Sequence, residues 1–426
     1  MFSFFPIRGA AATALLVLAT SPLMAAEPLT LPEAQRLAVA RSQQLVAHDA
    51  AATAARDMAV GAGQLPDPLL KLGINNLPIN GQDRFSLTRD FMTMRSVGVM
   101  QEFTRDGKRK ARSARFEREV EVAQANRLLA LTNLQRDTAI AWLDRFHQER
   151  MQGLLITQRD EARLQIDAAD AAYRGGRGSQ TDVFAARSTV ALIEDRLAQL
   201  ERQVETAKTQ LVRWVGADGL RLLGAAPALD SVRLRAHDIE TQVEHYPLIA
   251  LMLKKEAVAR AEAEVAQAAK QSDVSVELMY SQRGPAFSNM VSLNVSIPWQ
   301  WDQKNRQDRE LGAKLAIAGQ MVAEREEASR THVAEVLTML QEWRSNRDRL
   351  GRYDATLLPL TQERTRAALA AYRGATGPLA AVLEARRGEI DMRMDRLRLE
   401  MDTARLWAQL NYLIPESHDT ASATDQ

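Results

Sequence analysis

Hydrophobic and polar positions follow two periods along this chain, and the periods change at matching places in its two halves. Val291, Leu293, Val295 and Ile297 alternate with Ser292, Asn294 and Ser296, the two-residue repeat of a strand with one apolar and one wet face. Before it, Val274-Ser275-Val276-Glu277-Leu278-Met279-Tyr280 alternates more loosely, and Arg283-Gly284-Pro285 marks a turn between the two. In the first half Leu70, Leu72 and Ile74 alternate in the same way, followed by a loop through Asn80-Gly81 and a return strand ending near Phe103. The spacing predicts one hairpin per half, over residues 67–104 and 273–301. Each strand is near the ~10 residues that cross a bilayer when tilted.

Outside the hairpins the period is helical. Helical stretches over residues 30–63 and 240–270 precede the hairpins, and very long runs, 108–172 and 304–372, follow them. At 1.5 Å per residue such a run spans on the order of 100 Å, longer than a globular domain requires. Each long run breaks at Tyr-Arg-Gly and is followed by a further helix. There Leu192, Leu197, Leu200, Val204 and Leu211 recur at near-helical spacing between charges, the pattern of coiled-coil packing.

The two halves are copies. Ala171-Ala172-Tyr173-Arg174-Gly175 recurs as Ala370-Ala371-Tyr372-Arg373-Gly374 at an offset of 199 (372 − 173), which also matches Gly178 to Gly377, Val183 to Val382 and Arg187 to Arg386. Nearby the register drifts only slightly: Trp142 aligns with Trp343 and Phe103 with Trp299. The sequence therefore divides into a first repeat (27–215), a Gly-, Pro- and Leu-containing link (216–238), a second repeat (239–415) and a polar, disordered tail (416–426). Residues 1–26 read as a signal peptide: Arg8, an apolar run from Gly9 to Thr20, a Ser21-Pro22 break and small residues up to Ala26. That run is too short for a transmembrane helix, which needs about 20 residues.

Composition narrows the functions open to such a chain. Its 426 residues carry 55 Lys+Arg against 54 Asp+Glu, a balance that argues against nucleic acid as a partner. Aromatic residues are only 5% of the chain, which suits long helices better than thick cores. Cysteine is absent and six histidines are scattered without helical pairing, so no metal site, cofactor or thiol chemistry is expected. Neither a phosphate loop nor a Ser/His/Asp set is suggested, and no enzyme activity is expected. Four strands cannot close a membrane barrel, since known ones start at about eight, so the chain must oligomerise.

The duplication, the hairpin placement and the Tyr-Arg-Gly…Asp-Val and Val-Leu-Glu-Ala turn segments resemble the outer-membrane efflux protein (TolC) family over residues 27–415. Leu65-Pro66-Asp67-Pro68, Asn76-Leu77-Pro78 and Arg89-Asp90-Phe91-Met92-Thr93-Met94-Arg95 are most similar to its heavy-metal efflux branch. The resemblance implies a mainly α fold with a small β part: a homotrimer whose long helices form an α-helical barrel topped by a twelve-stranded transmembrane β-barrel. It also implies an exit duct in the outer membrane of a Gram-negative cell, in contact with its lipid and extending far into the periplasm. Such a duct passively conducts substrates, heavy-metal cations in that branch, from a periplasmic adaptor (membrane fusion protein) and an inner-membrane pump of the resistance-nodulation-division type.

The resemblance places Asp182 at the periplasmic mouth, where three copies would form an anionic, cation-favouring ring; equally, Asp182 close after Ser179 can cap a helix. The equivalent position in the second repeat is Ala381, with Glu384 the next acidic residue, a departure from a double ring. Tyr173, Arg174, Tyr372 and Arg373 are similar to residues that tie coiled coils shut at a closed tip, or else they are helix-end packing with arginine on terminal carbonyls. Phe103, Trp299 and Trp301 end the return strands and suit a belt at the membrane interface. Met92 and Met94 are soft-metal ligands or loop filler, and the basic run Arg105, Lys108, Arg109, Lys110, Arg112 and Arg115 reads as a solvated helix start. A second class remains open: a soluble periplasmic coiled-coil adaptor or scaffold without a pore, which the hairpins do not suit.

Overall fold

The structure, a computed structural model, describes residues 27–234, 239 and 241–414. The expected signal peptide, the tail and residues 235–238 and 240 lie outside the described residues.

Each helix start and stop has a local cause. Thr30 accepts a hydrogen bond from the Glu33 N–H (3.4 Å) and opens α1 (Leu31–Arg41). Ser42 then ends α1 and caps α2 (Gln43–Ala62) through Leu45 N–H (3.4 Å), so the expected single stretch is two helices. Pro66 and Pro68 keep the chain extended beyond it. Two strands follow, β1 (Leu69–Asn75) and β2 (Met94–Phe103), then α3 (Asp106–Arg174) and α4 (Gln180–Val215). The second half repeats the order with α5 (Pro247–Ala269), β3 (Val274–Gln282), β4 (Met290–Ser296), α6 (Gln307–Arg352), α7 (Leu358–Arg373) and α8 (Leu379–Asn411). Its long helix is not continuous: a π-helical turn, Tyr353–Leu357, with Pro359 just after it, separates α6 from α7. Proline lacks the N–H that would continue the ladder, and an inserted residue is the usual relief.

At 69 residues α3 is about 100 Å long and is the spine of the molecule, packing against α1, α2, α4, α5 and α8. In α4 the buried positions Val183, Ala186, Val190, Ile193, Leu197, Leu200, Val204, Ala207 and Leu211 step by three and four without a break, a heptad seam. Leu192, expected on it, is 51% exposed, and Ile193 takes the place. Along the helices the core divides into separate clusters, one of them formed by Ile239, Val336, Leu340, Trp343 and Leu410 in the second half. Trp142, Leu143, Leu31 and Leu211 fill the equatorial one, Met151, Leu155, Leu197 and Met394 the middle one, and Ala169, Val183, Val382 and Leu383 the one at the tip.

The link after α4 is tied back to the start of the chain. Leu29 pairs with Leu223 in a parallel bridge, Leu29 N–H donates to Leu222 O (2.7 Å) and Gly224 N–H to Leu29 O (3.0 Å). Trp142 Nε1 donates to Leu29 O (3.0 Å), and Arg145 donates to Gly219 O (2.6 Å). The four strands form one antiparallel sheet in the order β1-β2-β3-β4, the two hairpins joining along β2 and β3 from Arg95↔Gln282 to Phe103↔Val274.

Candidate functional site

Two ends of the molecule carry the residues of interest. At the sheet end, register and alternation sort the side chains onto two unlike faces. Leu72, Val97, Tyr280 and Val291 form one row across all four strands, and Leu70, Val99, Leu278 and Leu293 the next. These side chains are exposed, Leu72 by 75% and Leu293 by 68%; water-facing apolar rows this wide need another apolar medium against them. The opposite face holds Gly73, Ser96, Ser281 and Ser292, and Lys71 reaches across β2 to Glu277 (Nζ to Oε1, 3.2 Å). β1 and β4 have no strand on their outer sides among the described residues, so their backbone groups await a partner.

Phe103 ends β2 as expected, but Trp299 and Trp301 lie beyond β4, which stops at Ser296. All three are exposed, the tryptophans almost fully. Proline at 298 ends the strand before them. Met92 lies exposed in the loop, where Asp90 Oδ1 accepts from its N–H (2.8 Å), whereas Met94 opens β2 on the polar face.

Between sheet and helices, part of the basic run is a clamp, while Lys110 and Arg112 stay exposed as the solvated start of the helix. Lys108 Nζ lies 2.7 Å from Asp273 Oδ2 and Arg105 N–H donates to Asp273 Oδ1 (3.0 Å). Arg109 donates to Gly63 O (3.1 Å), and Arg115 bridges Glu119 (2.7 Å) and Glu262 (3.3 Å). These bonds fasten α3 to the neck of β3 and to α2 and α5. Sequence reasoning missed this because the acidic partners lie up to 168 residues away.

At the far end, α3–α4 and α7–α8 turn through matching hairpins. Gly176 (φ 69°) and Ala375 (φ 56°) occupy the same left-handed position, and Gly178 and Gly377 N–H groups donate to Ala172 O (3.1 Å) and Ala371 O (3.2 Å). Asp182 forms a complete capping box with Ser179: the Asp182 N–H donates to Ser179 Oγ (3.1 Å), and Asp182 Oδ2 accepts from Ser179 N–H (3.0 Å). Glu384 is exposed and pairs with Arg364 at 2.8 Å. Arg174 pairs with Asp170 one turn back rather than with terminal carbonyls. Tyr372 is half-buried against the tip cluster of Val382 and Leu383, while Tyr173 is 46% exposed. The fold thus gathers Asp182, Glu384 and both Tyr-Arg pairs at one end and Phe103, Trp299 and Trp301 at the other.

Among the described residues no helix is long and apolar enough to cross a membrane, and no three His, Asp or Glu side chains gather into a metal-binding group.

Neither a protein-family model nor a curated protein sequence matches this chain. Solved structures do share its fold. A membrane protein from Pseudomonas aeruginosa superposes with a TM-score of 0.76 at 15% identity, over 90% of this chain and 93% of its own. CusC, described for its folding and transmembrane channel formation, gives 0.75 at 16%, covering 91% of this chain and 92% of its own. The CmeC outer membrane channel of Campylobacter jejuni gives 0.75 at 12%, covering 92% and 87%. The fold is therefore one seen in channel proteins, a long helical body carrying a small antiparallel sheet.

Proposed function

We propose that this chain is one third of an outer-membrane exit duct of the TolC type. Three copies close a twelve-stranded barrel and continue it as a helical tube into the periplasm of a Gram-negative cell. The observation that carries the reading is the sheet: apolar rows exposed on one face, polar groups on the other, and free edges on both sides. Lipid satisfies the first, water the second, and only closure with further copies satisfies the edges. Two copies would give eight strands, whose interior side chains fill, whereas twelve leave a lumen.

In this reading the duct passively conducts its cargo, heavy-metal cations, from a periplasmic adaptor and a resistance-nodulation-division pump. Asp182 and Glu384 ring its periplasmic mouth, and Tyr173, Arg174, Tyr372 and Arg373 hold neighbouring coiled coils at the tip. Phe103, Trp299 and Trp301 sit at the lipid interface, where amphipathic rings are favoured.

Mass measurement of the protein in detergent, followed by planar-bilayer recording, tests this. A trimer that conducts is expected. A stable monomer, or a protein freed from membranes by high salt alone, would instead point to the soluble scaffold.

A further inference from the structure

The polar face of the sheet carries four methionines, Met94, Met100, Met279 and Met290, and three of them lie on one line. Met100 faces Glu277 and Gly98 faces Met279, so Met100 and Met279 are diagonal neighbours on adjacent strands. Met279 faces Ser292 and Met290 faces Ser281, which repeats the same diagonal one strand further on. Diagonal neighbours in an antiparallel pair are ~7–8 Å apart at Cα and closer at Cβ, a gap that unbranched thioether side chains with three rotatable bonds can close.

Several observations separate this line from ordinary packing. With 15 methionines in 426 residues, a face of this size would be expected to hold fewer than one. Met290 is 45% exposed and Met100 and Met279 are only half-buried, so the line borders open space rather than a core. Gly98 keeps the middle of the line clear: a Cβ there would stand 3.1 Å from Met279 Cα and 3.2 Å from its Cβ. Glu277, beside Met100 and Met279, adds a carboxylate held 3.2 Å from Lys71.

We propose that Met100, Met279 and Met290 form a thioether site for a soft monovalent cation, Cu(I) or Ag(I), on the inner wall of the barrel. The position of the site in a lumen rests on the duct reading above; its chemistry does not. Neutral, polarizable sulfur prefers soft ions, whereas hard divalent ions keep oxygen ligands. Three such sites around a trimer would offer binding strong enough to admit the ion and weak enough to release it, the condition for passage.

The test is titration of the purified protein in detergent with Ag(I), alongside X-ray absorption of the silver-loaded protein. About one tight silver per chain with sulfur neighbours is expected. The near-isosteric variants Met100→Leu, Met279→Leu and Met290→Leu should each weaken binding at least tenfold, while Met92→Leu leaves it unchanged. Silver block of potassium conductance should vanish in the triple variant. Undiminished silver binding by the correctly assembled triple variant, or oxygen and nitrogen neighbours alone around the wild-type silver, would overturn the proposal. A protein that binds silver through sulfur but never conducts would overturn the duct and leave the site standing.

Discussion

The two long helical arms descend from one sequence but live in different surroundings. α3 is unbroken and buries eighteen side chains against five other helices. Its counterpart, α6 with α7, is interrupted by the π turn and buries four in α6 and one in α7. Among the described residues α6 packs chiefly on α5 and α8. Duplication thus fixed the element order while leaving burial to position: the first arm is the spine of the chain, and the second presents a flank that the described residues leave exposed. In the trimer proposed above, that flank meets the next copy.

The aligned tryptophans should separate the arms most strongly. Trp142 is fully buried, stacks on Phe146 (centroids 5.4 Å apart) and donates to Leu29 O. Trp343 is nearly as buried, but its Nε1 has no partner among the described residues. Trp142→Ala should cost ~4 kcal/mol. Trp142→Phe should cost about 1 kcal/mol, because Leu29 O loses one of its two donors and keeps Gly224 N–H, whereas Trp343→Phe should be close to neutral. Equal losses in thermal or denaturant unfolding would erase the contrast.

His147 offers the next test. Its ring is fully buried, edge-on to Phe146, with neither nitrogen hydrogen-bonded among the described residues. The aligned Asp348 is exposed. Burial pushes the imidazole down to about 4; nearby Arg150, Arg405 and Arg396 add to this and Glu400 opposes it. Between pH 6.5 and 4 the unfolded chain therefore takes up a proton that the folded chain refuses, so stability falls as the pH falls. The loss is up to about 3 kcal/mol. His147→Leu should flatten melting temperature against pH across that window. An unchanged slope would place the acid sensitivity elsewhere.

Smaller effects are expected at the tip. Gly176 adopts its left-handed φ without strain, whereas Ala375 pays for the same geometry. Gly176→Ala should therefore destabilise by ~1 kcal/mol and Ala375→Gly should be neutral or stabilising. The smallest change should come from Asp182→Asn with Glu384→Gln: a weaker preference for potassium over chloride in bilayers, since carboxylate rings set the local potential. If the preference is unmoved, Asp182 is a helix cap and nothing more.

Much of this architecture was legible because it is written in short periods. The alternation at Val291–Ile297 and Leu70–Ile74 located the hairpins, and repetition of Tyr-Arg-Gly located both tip turns. What escaped was set by distant partners. Nothing around Lys108 announces Asp273, whereas the seam was readable: Ile193 stands four residues before Leu197 and Leu192 five, so only Ile193 keeps the step. The π turn was hidden because Pro359 lies in an otherwise helical run. At the tip, Asp182 was read as the cap itself, whereas Ser179 is the N-cap and Asp182 closes the capping box from the third helical position; its proposed place in a ring depends on copies the sequence does not describe.

The seam between the hairpins has a consequence for how the molecule assembles in time. β2 and β3 come from different repeats, and Phe103 pairs with Val274 across α3, α4, the link and the whole of α5. Closing so long a loop in an unstructured chain is slow, because its entropy must be lost before any contact repays it. The α3–α4 hairpin, by contrast, is local and can zip from its turn. Once it has formed, and the link has paired with Leu29 at the equator, α5 starts close to the spine and delivers β3 beside β2, so the effective loop shrinks to a few residues. The helical body would then act as an internal template, and the strands with their aggregation-prone edges would come together last.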